Sequence, residues 1–454
     1  MKQATSTKIS LKALSFIFLA IVSFISIDVI VSSLVNVYQD FTVSPIGMSL
    51  FLSVTGISFA GTYLILKMTI DKTRGKYKEG TFENRIAKVI WAVYYLMVAI
   101  TVFTILQILF FSHYYTGLLS IASTISYGLA AYLMGILAYR FFLWFKRNKS
   151  LVVLLYGLAS ILTSFYIVSV AVIFYVEIFI HQPSVITLES AGIFPEISSE
   201  FEQILMVSLQ QILTTATFLL FWGGTIAILY SNIRRIGKIR FWILITTPIV
   251  FFLGTLYSLY PDIQYFTPKD GPYSLIIPVY IVYFSQVIAI GLFAIAFVSI
   301  ARAISHHQIS YYMYITCFGL ILFFTGMLAS VSGAGYPPFG LPSVSLVGTF
   351  SFLLFTGLNH SAIATAQDSK LRRIIRVSAQ RELGLLDSIG NAKMEEILEK
   401  KVLEVTKSHT ENLIKQSGIE PSLSMEEAKQ YMSEVIDEVK NQNKQSLNDN
   451  SATI

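Results

Sequence analysis

Ten apolar stretches, at about 11–36, 46–69, 88–112, 115–140, 150–180, 203–231, 241–260, 274–300, 309–331 and 342–366, leave this chain few ways to fold. A run of about 20 apolar residues spans the ~30 Å hydrocarbon core of a bilayer as a helix whose backbone polar groups are all satisfied internally. Mean hydropathy is +0.64 and only 13% of residues are charged, which places the chain outside the range of soluble globular domains. The fold class expected is all-α: a polytopic transmembrane helix bundle of about ten helices over 1–367, with a cytoplasmic C-terminal helical tail. The first run follows Lys2, Lys8 and Lys12 but is too long for a secretory signal and lacks a small-residue cleavage site, so it reads as a membrane helix.

The connections between the runs carry a strong charge asymmetry. Of 20 Lys and Arg up to Gln367, 19 fall in alternate connections and only Lys269 falls on the other side. The positive-inside rule therefore predicts a multi-pass protein of the cell (plasma) membrane with both termini cytoplasmic. Trp91, Trp144 and Trp242 lie near the cytoplasmic ends of their runs, where indole rings favour the interface. The overall net charge of +6 is a topology signal: residues 1–367 hold 20 basic and 12 acidic side chains, the remainder 13 and 15. No nucleic-acid partner follows from it. Small-residue pairs such as Gly56 with Ala60 and Ala131 with Gly135 offer places for close helix packing. No internal repeat is visible.

Beyond Gln367 the composition changes. Lys370, Arg372, Arg373 and Arg376 open a juxtamembrane basic, amphipathic helix expected over 368–412, and these four would contact anionic lipid headgroups at about 1 kcal/mol each. Its apolar residues, including Leu386, Met394, Ile397, Leu398, Val402 and Val405, fall short of clean heptads. A linker and a short helix capped by Ser424 and Glu427 follow over 413–440, and 441–454 has the composition of a disordered tail.

The strings Tyr336-Pro-Pro-Phe-Gly-Leu341, Gly357-Leu-Asn-His-Ser-Ala362 with Gln367-Asp368, Leu371-Arg-Arg-Ile-Ile-Arg376 and Leu385-Leu-Asp-Ser-Ile-Gly390 carry a resemblance. Over its last quarter the chain resembles an uncharacterised family of multi-pass membrane proteins of ammonia-oxidising archaea. The resemblance implies a shared topology and an archaeal plasma-membrane location, and no activity or site residue.

Candidate site residues are few. Ionisable groups within membrane helices are costly and are functional candidates by default; here they are Asp28, deep in the first run, and Glu177, near the outer end of the fifth. Gln210, Gln211 and Gln286 lie nearer mid-membrane, where amides either tie helices together or line a polar cavity. The stretch Gly333 to Pro342 cannot be helical, and its Tyr336 and Phe339 form either an apolar wall of an outer ligand site or part of a rigid turn in solvent. His113, His181, His306, His307 and His360 show no ligand spacing, and Cys317 stands alone, so no metal and no cofactor is expected. There is no phosphate-binding glycine loop, zinc-hydrolase signature or nucleophile elbow, which argues against an enzyme.

Two functions remain open. The first is a non-enzymatic membrane receptor or scaffold whose cytoplasmic helix binds a protein partner or self-associates. The second is a transporter or channel for a neutral or weakly charged solute, suggested by helix number and the central Gln residues, against which stand the missing repeat and the scarcity of coupling carboxylates.

Overall fold

The computed structural model describes residues 11–34, 39–74, 82–176, 184–187, 200–231, 233, 237–246, 307–329 and 335–367, with parts of 289–302 and 388–405. These form α1 (Leu11–Leu34), α2 (Gln39–Val43), α3 (Pro45–Arg74), α4 (Phe82–Phe111), β1 (His113–Tyr115), α5 (Thr116–Arg147), α6 (Leu151–Val176), β2 (Val185–Thr187), α7 (Glu200–Ser231), α8 (Lys238–Thr246), α9 (His307–Met327) and α10 (Leu341–Gln367). Eight helices, α1, α3 to α7, α9 and α10, are long and apolar enough to cross a membrane. The other two expected spans, 241–260 and 274–300, lie largely outside the described residues, where only α8 and an apolar helical stretch at Ala289–Ser299 remain.

The direction of each helix follows from what its ends touch. At one end of the bundle, Asp28 of α1, Phe51 of α3, Ile108 of α4 and Tyr114 of β1 all meet the segment 335–343. At the opposite end, Glu83 of α4, Arg140 of α5, Tyr312 of α9 and His360 of α10 come together. Consecutive long helices therefore run antiparallel, and described basic residues such as Lys72, Lys88, Arg140, Lys146 and Arg147 lie at the second end. We call these the ribbon end and the basic end.

The ribbon is the one departure from the all-helical expectation among the described residues. β1 and β2 pair antiparallel, with Tyr114 opposite Ile186. Ser112, at φ 55°, turns the chain out of α4 into β1, and the Gln107 side chain accepts from the Tyr115 amide. Thr116 N–H donates to the Ser184 carbonyl, extending the pairing by one step.

At the centre stands α10, buried along nearly its whole length. Its composition explains the position. Ser343, Ser345, Thr349, Ser351, Thr356, Asn359 and Ser361 would be costly against lipid, while its glycines let neighbours approach. A Cβ on Gly357 would collide with backbone of α9, and one on Gly319 of α9 with backbone of α10. This is the most extensive helix pair of the bundle. On the α5 side, Ser126 Oγ donates to the Ser345 carbonyl and accepts from the Gly348 amide at 3.0 Å.

The expected small-residue contacts divide. Gly135 faces Ser164, whose hydroxyl donates to the Ala131 carbonyl at 2.9 Å, so that pair does join α5 to α6. Gly56 meets nothing and Ala60 is exposed; the close approach on α3 is made instead by Gly61 against Ile21 of α1. Trp144 is 2% exposed and set edge-on to Phe141, a core residue and not an interfacial one, whereas Trp242 is exposed.

Candidate functional site

The non-helical stretch before α10 is neither a turn standing in solvent nor an open wall. It is a buried plug. Tyr336 and Phe339 are 4% and 3% exposed. Phe339 packs edge-on against Phe51 with ring centroids 5.4 Å apart, and Tyr336 stacks on Tyr114. Tyr114 Oη donates to the Gly335 carbonyl at 2.7 Å, so β1 also covers the plug. Burial pushes both phenols above the usual tyrosine range, which keeps them as O–H donors.

Asp28 closes this end. Its Oδ1 accepts from the Gly340 amide at 2.8 Å, and its Oδ2 accepts from the Ser343 amide at 3.1 Å and the Ser343 hydroxyl at 2.5 Å. The first turn of any helix leaves N–H groups without intrahelical partners. In α10 the residue at the capping position is Gly340, at φ 91°, which has no side chain to offer. A carboxylate from α1, 312 residues earlier, supplies the cap, and the helix dipole favours its charge there. The structure thus brings Asp28, Tyr336 and Phe339 into one neighbourhood, filled by protein.

The other candidates are not gathered there. Gln210 lies partly buried on α7, where its backbone carbonyl accepts from the Thr214 hydroxyl. Glu177 and Gln286, the side chain of Gln211 and the headgroup candidates Lys370, Arg372, Arg373 and Arg376 lie outside the described residues.

The described cavity is at the basic end. It has a volume of about 470 Å³, within the range of small-molecule sites. Ile70 and Thr73 of α3 form one wall and the first turns of α4, from Glu83 to Trp91, form the second. Phe352, Phe355, Thr356, Asn359 and His360 of α10 form the floor. Behind Asn359 sits Arg140. Its guanidinium donates to Asn359 Oδ1, pairs with Glu83 Oε1 at 3.3 Å, and lies 5.0 Å from the centre of the Phe355 ring. The charge is thereby matched by an acid, an amide and a π face, as a guanidinium near membrane depth requires. Asn359 is 1% exposed and its Nδ2 has no partner among the described residues. His360 stacks on Tyr312. Among the described residues no group of three metal-ligating side chains occurs.

Neither Arg140 nor Asn359 stands out in the sequence. Arg140 sits at the boundary of an apolar run, where it passes as a topology marker, and Asn359 sits in a polar string that reads as helix-packing material. Arg140 stands six residues before the basic patch that starts at Lys146, inside a run that stays apolar to Phe145, and that spacing was the available signal.

A helical segment at 388–399 docks at this same end. Ile389 and Ala392 are fully buried, Gly390 lies against Thr365 of α10, and Glu399 pairs with Arg147 of α5 at 2.7 Å. Leu398, Val402 and Val405 remain exposed. The remainder of the expected 368–412 helix lies outside the described residues. Comparison with known protein families, protein sequences and solved structures gives no match.

Proposed function

We propose that this chain is a non-enzymatic membrane receptor or scaffold, with both termini cytoplasmic, in which the basic-end cavity is the ligand site and the segment 388–399 carries the output to a protein partner or a second copy. One observation supports this reading above the others. The helix that floors the cavity with Asn359 and His360 also carries Thr365, on which Gly390 is seated. Six residues of α-helix separate Asn359 from Thr365, about 9 Å at 1.5 Å per residue. A ligand that shifts the end of α10 thus acts on the tail's docking surface through one rigid element, and release would expose Ile389 and Ala392 beside Leu398 and Val402.

Hydrogen exchange of the full chain in nanodiscs tests it. Asn359→Ala should speed exchange across 388–399 while protection in α5 and the first half of α10 persists. Unchanged exchange across 388–399 would refute the coupling.

Transport of a neutral solute is the second reading, favoured by one feature. Thr55, Ser58 and Thr62 lie on one face of α3 between the plug and the cavity, and with Thr101 of α4 they are buried hydroxyls without partners among the described residues. Solute flux in proteoliposomes, absent from the first reading, separates the two.

A further inference from the structure

The basic-end cavity has a definite chemical character. Arg140 is spent on Glu83 and Asn359, so the carboxylate is already neutralised. Lys88 and Asn84 line the same space and make no hydrogen bond or ion pair among the described residues, and the Asn359 Nδ2 is an unused donor. The uncompensated charge is therefore one cation, with the amide N–H donors of Asn84 and Asn359 beside it, which calls for an acceptor-rich anion. Beside these donors stand Ile70, Ile86, Trp91 and Phe352, surfaces that suit hydrocarbon. The cavity also has a side. Although consecutive in the chain, α3 and α4 meet through the rings of Phe59 and Tyr63 against Trp91 and Tyr94, α10 lies behind both, and beyond those rings no described element closes the space toward their basic ends.

We propose that this cavity binds the phosphate-ester headgroup of an amphiphile that enters sideways between α3 and α4, with Lys88, Asn84 and Asn359 as donors to the phosphate oxygens and Trp91 and Phe352 against the first methylenes. An ammonium is the natural partner for a phosphate that arrives with its own hydration, as a point charge that leaves the geometry to the amides. Glu83 and Lys88 of the lining, with Arg140 behind it, sum to one positive charge, which the first ionisation of a phosphate monoester balances. The inference rests on the receptor reading only for the purpose of the site; binding is measured independently of the tail.

The experiment uses the delipidated full chain in a nonionic detergent, with binding followed by native mass spectrometry and Trp fluorescence. Dioctanoyl phosphatidic acid, dioctanoylglycerol and glycerol phosphate are titrated in parallel. The expected result is saturable one-to-one binding of the phosphatidic acid and at least tenfold weaker binding of the other two. Lys88→Gln, at an exposed position, should weaken binding at least fivefold with an unchanged melting temperature. Lys72→Gln, at an exposed α3 lysine whose ammonium lies over the Tyr311 ring and does not line the cavity, should leave it unchanged. Equal loss in both variants would mean general surface attraction and would overturn the site. Equal binding of glycerol phosphate would assign a soluble phosphate ester and overturn the lateral entry. Binding of dioctanoylglycerol as tight as that of the phosphatidic acid would overturn the headgroup role. Binding without any change in exchange across 388–399 would leave this site standing and remove the receptor reading.

Discussion

Replacing Asp28 with Ala tests whether a side chain from the first helix holds the last one in place. The substitution removes three hydrogen bonds at once and leaves the Gly340 and Ser343 amides and the Ser343 hydroxyl facing a small cavity without acceptors. The site is fully buried, so water does not replace the lost partner. A hydrogen bond to a charged group is worth about 1.5–3 kcal/mol, and each buried orphan donor costs about 1–3 kcal/mol. The terms overlap, and removing one partner of a buried charged cluster typically costs about 3–5 kcal/mol, which is the loss expected for Asp28→Ala. Asp28→Asn keeps one carbonyl acceptor for Gly340, but its amide nitrogen then faces the Ser343 N–H as a second donor, so about 2–3 kcal/mol should be lost. Ser343→Ala removes only the hydroxyl bond, at about 1 kcal/mol. Unfolding by dodecyl sulfate titration from mixed micelles, followed by Trp fluorescence, measures the series. The order Ala, then Asn, then the Ser343 variant is required. If Asp28→Ala unfolds at the wild-type detergent fraction, the capping argument is wrong. If Asp28→Asn is as damaging as Ala, the second oxygen, on Ser343, carries the cap, and the bond to Gly340 adds little.

Further outcomes follow from the same packing. Gly357→Ala should cost about 2–3 kcal/mol in the same titration, since the added methyl meets α9 backbone that has no way to yield, whereas Gly56→Ala, with open space around it, should be neutral or slightly stabilising. Arg140→Ala strands Glu83 and Asn359 together and should lose about 2–3 kcal/mol, more than Glu83→Gln, which keeps an acceptor beside the guanidinium; equal losses would argue that the network is not centred on Arg140. Thr187→Cys, exposed on β2 in a chain whose only other cysteine is buried, should react with an impermeant maleimide from outside intact cells; labelling only after the cytoplasm is opened would reverse the orientation.

Much of the bundle is legible because lipid and water impose separate patterns. Apolar runs of membrane length become helices, and basic residues collect at one end, since both effects act on each segment by itself. What depends on neighbours was hidden. Nothing in residues 342–366 marks that run as the central helix except its serines, threonines and glycines, which also suit an ordinary packed span. The plug was visible as a non-helical stretch, because Pro337, Pro338 and Gly340 forbid a helix locally, but its burial depends on Tyr114 and Phe51, brought there by the fold. Asp28 was singled out because an intramembrane acid is rare; its partners were not, because two of its three bonds go to backbone, which carries no sequence signature. Arg140 escaped notice for the opposite reason. A basic residue near a membrane boundary is expected, and only the positions of Glu83 and Asn359 show that this one turns inward.

The order in which these helices leave the ribosome gives the Asp28 cap a further meaning. The carboxylate is synthesised among the first thirty residues, while its partners at Gly340 and Ser343 emerge 312 and 315 residues later. Throughout that interval the space α10 will fill has no occupant, and the acid must be held by lipid headgroups, water or an insertion factor. A nascent chain interrupted before residue 341 therefore carries a persistent polar flaw in its first helix, a mark by which membrane quality control can tell an unfinished bundle from a closed one.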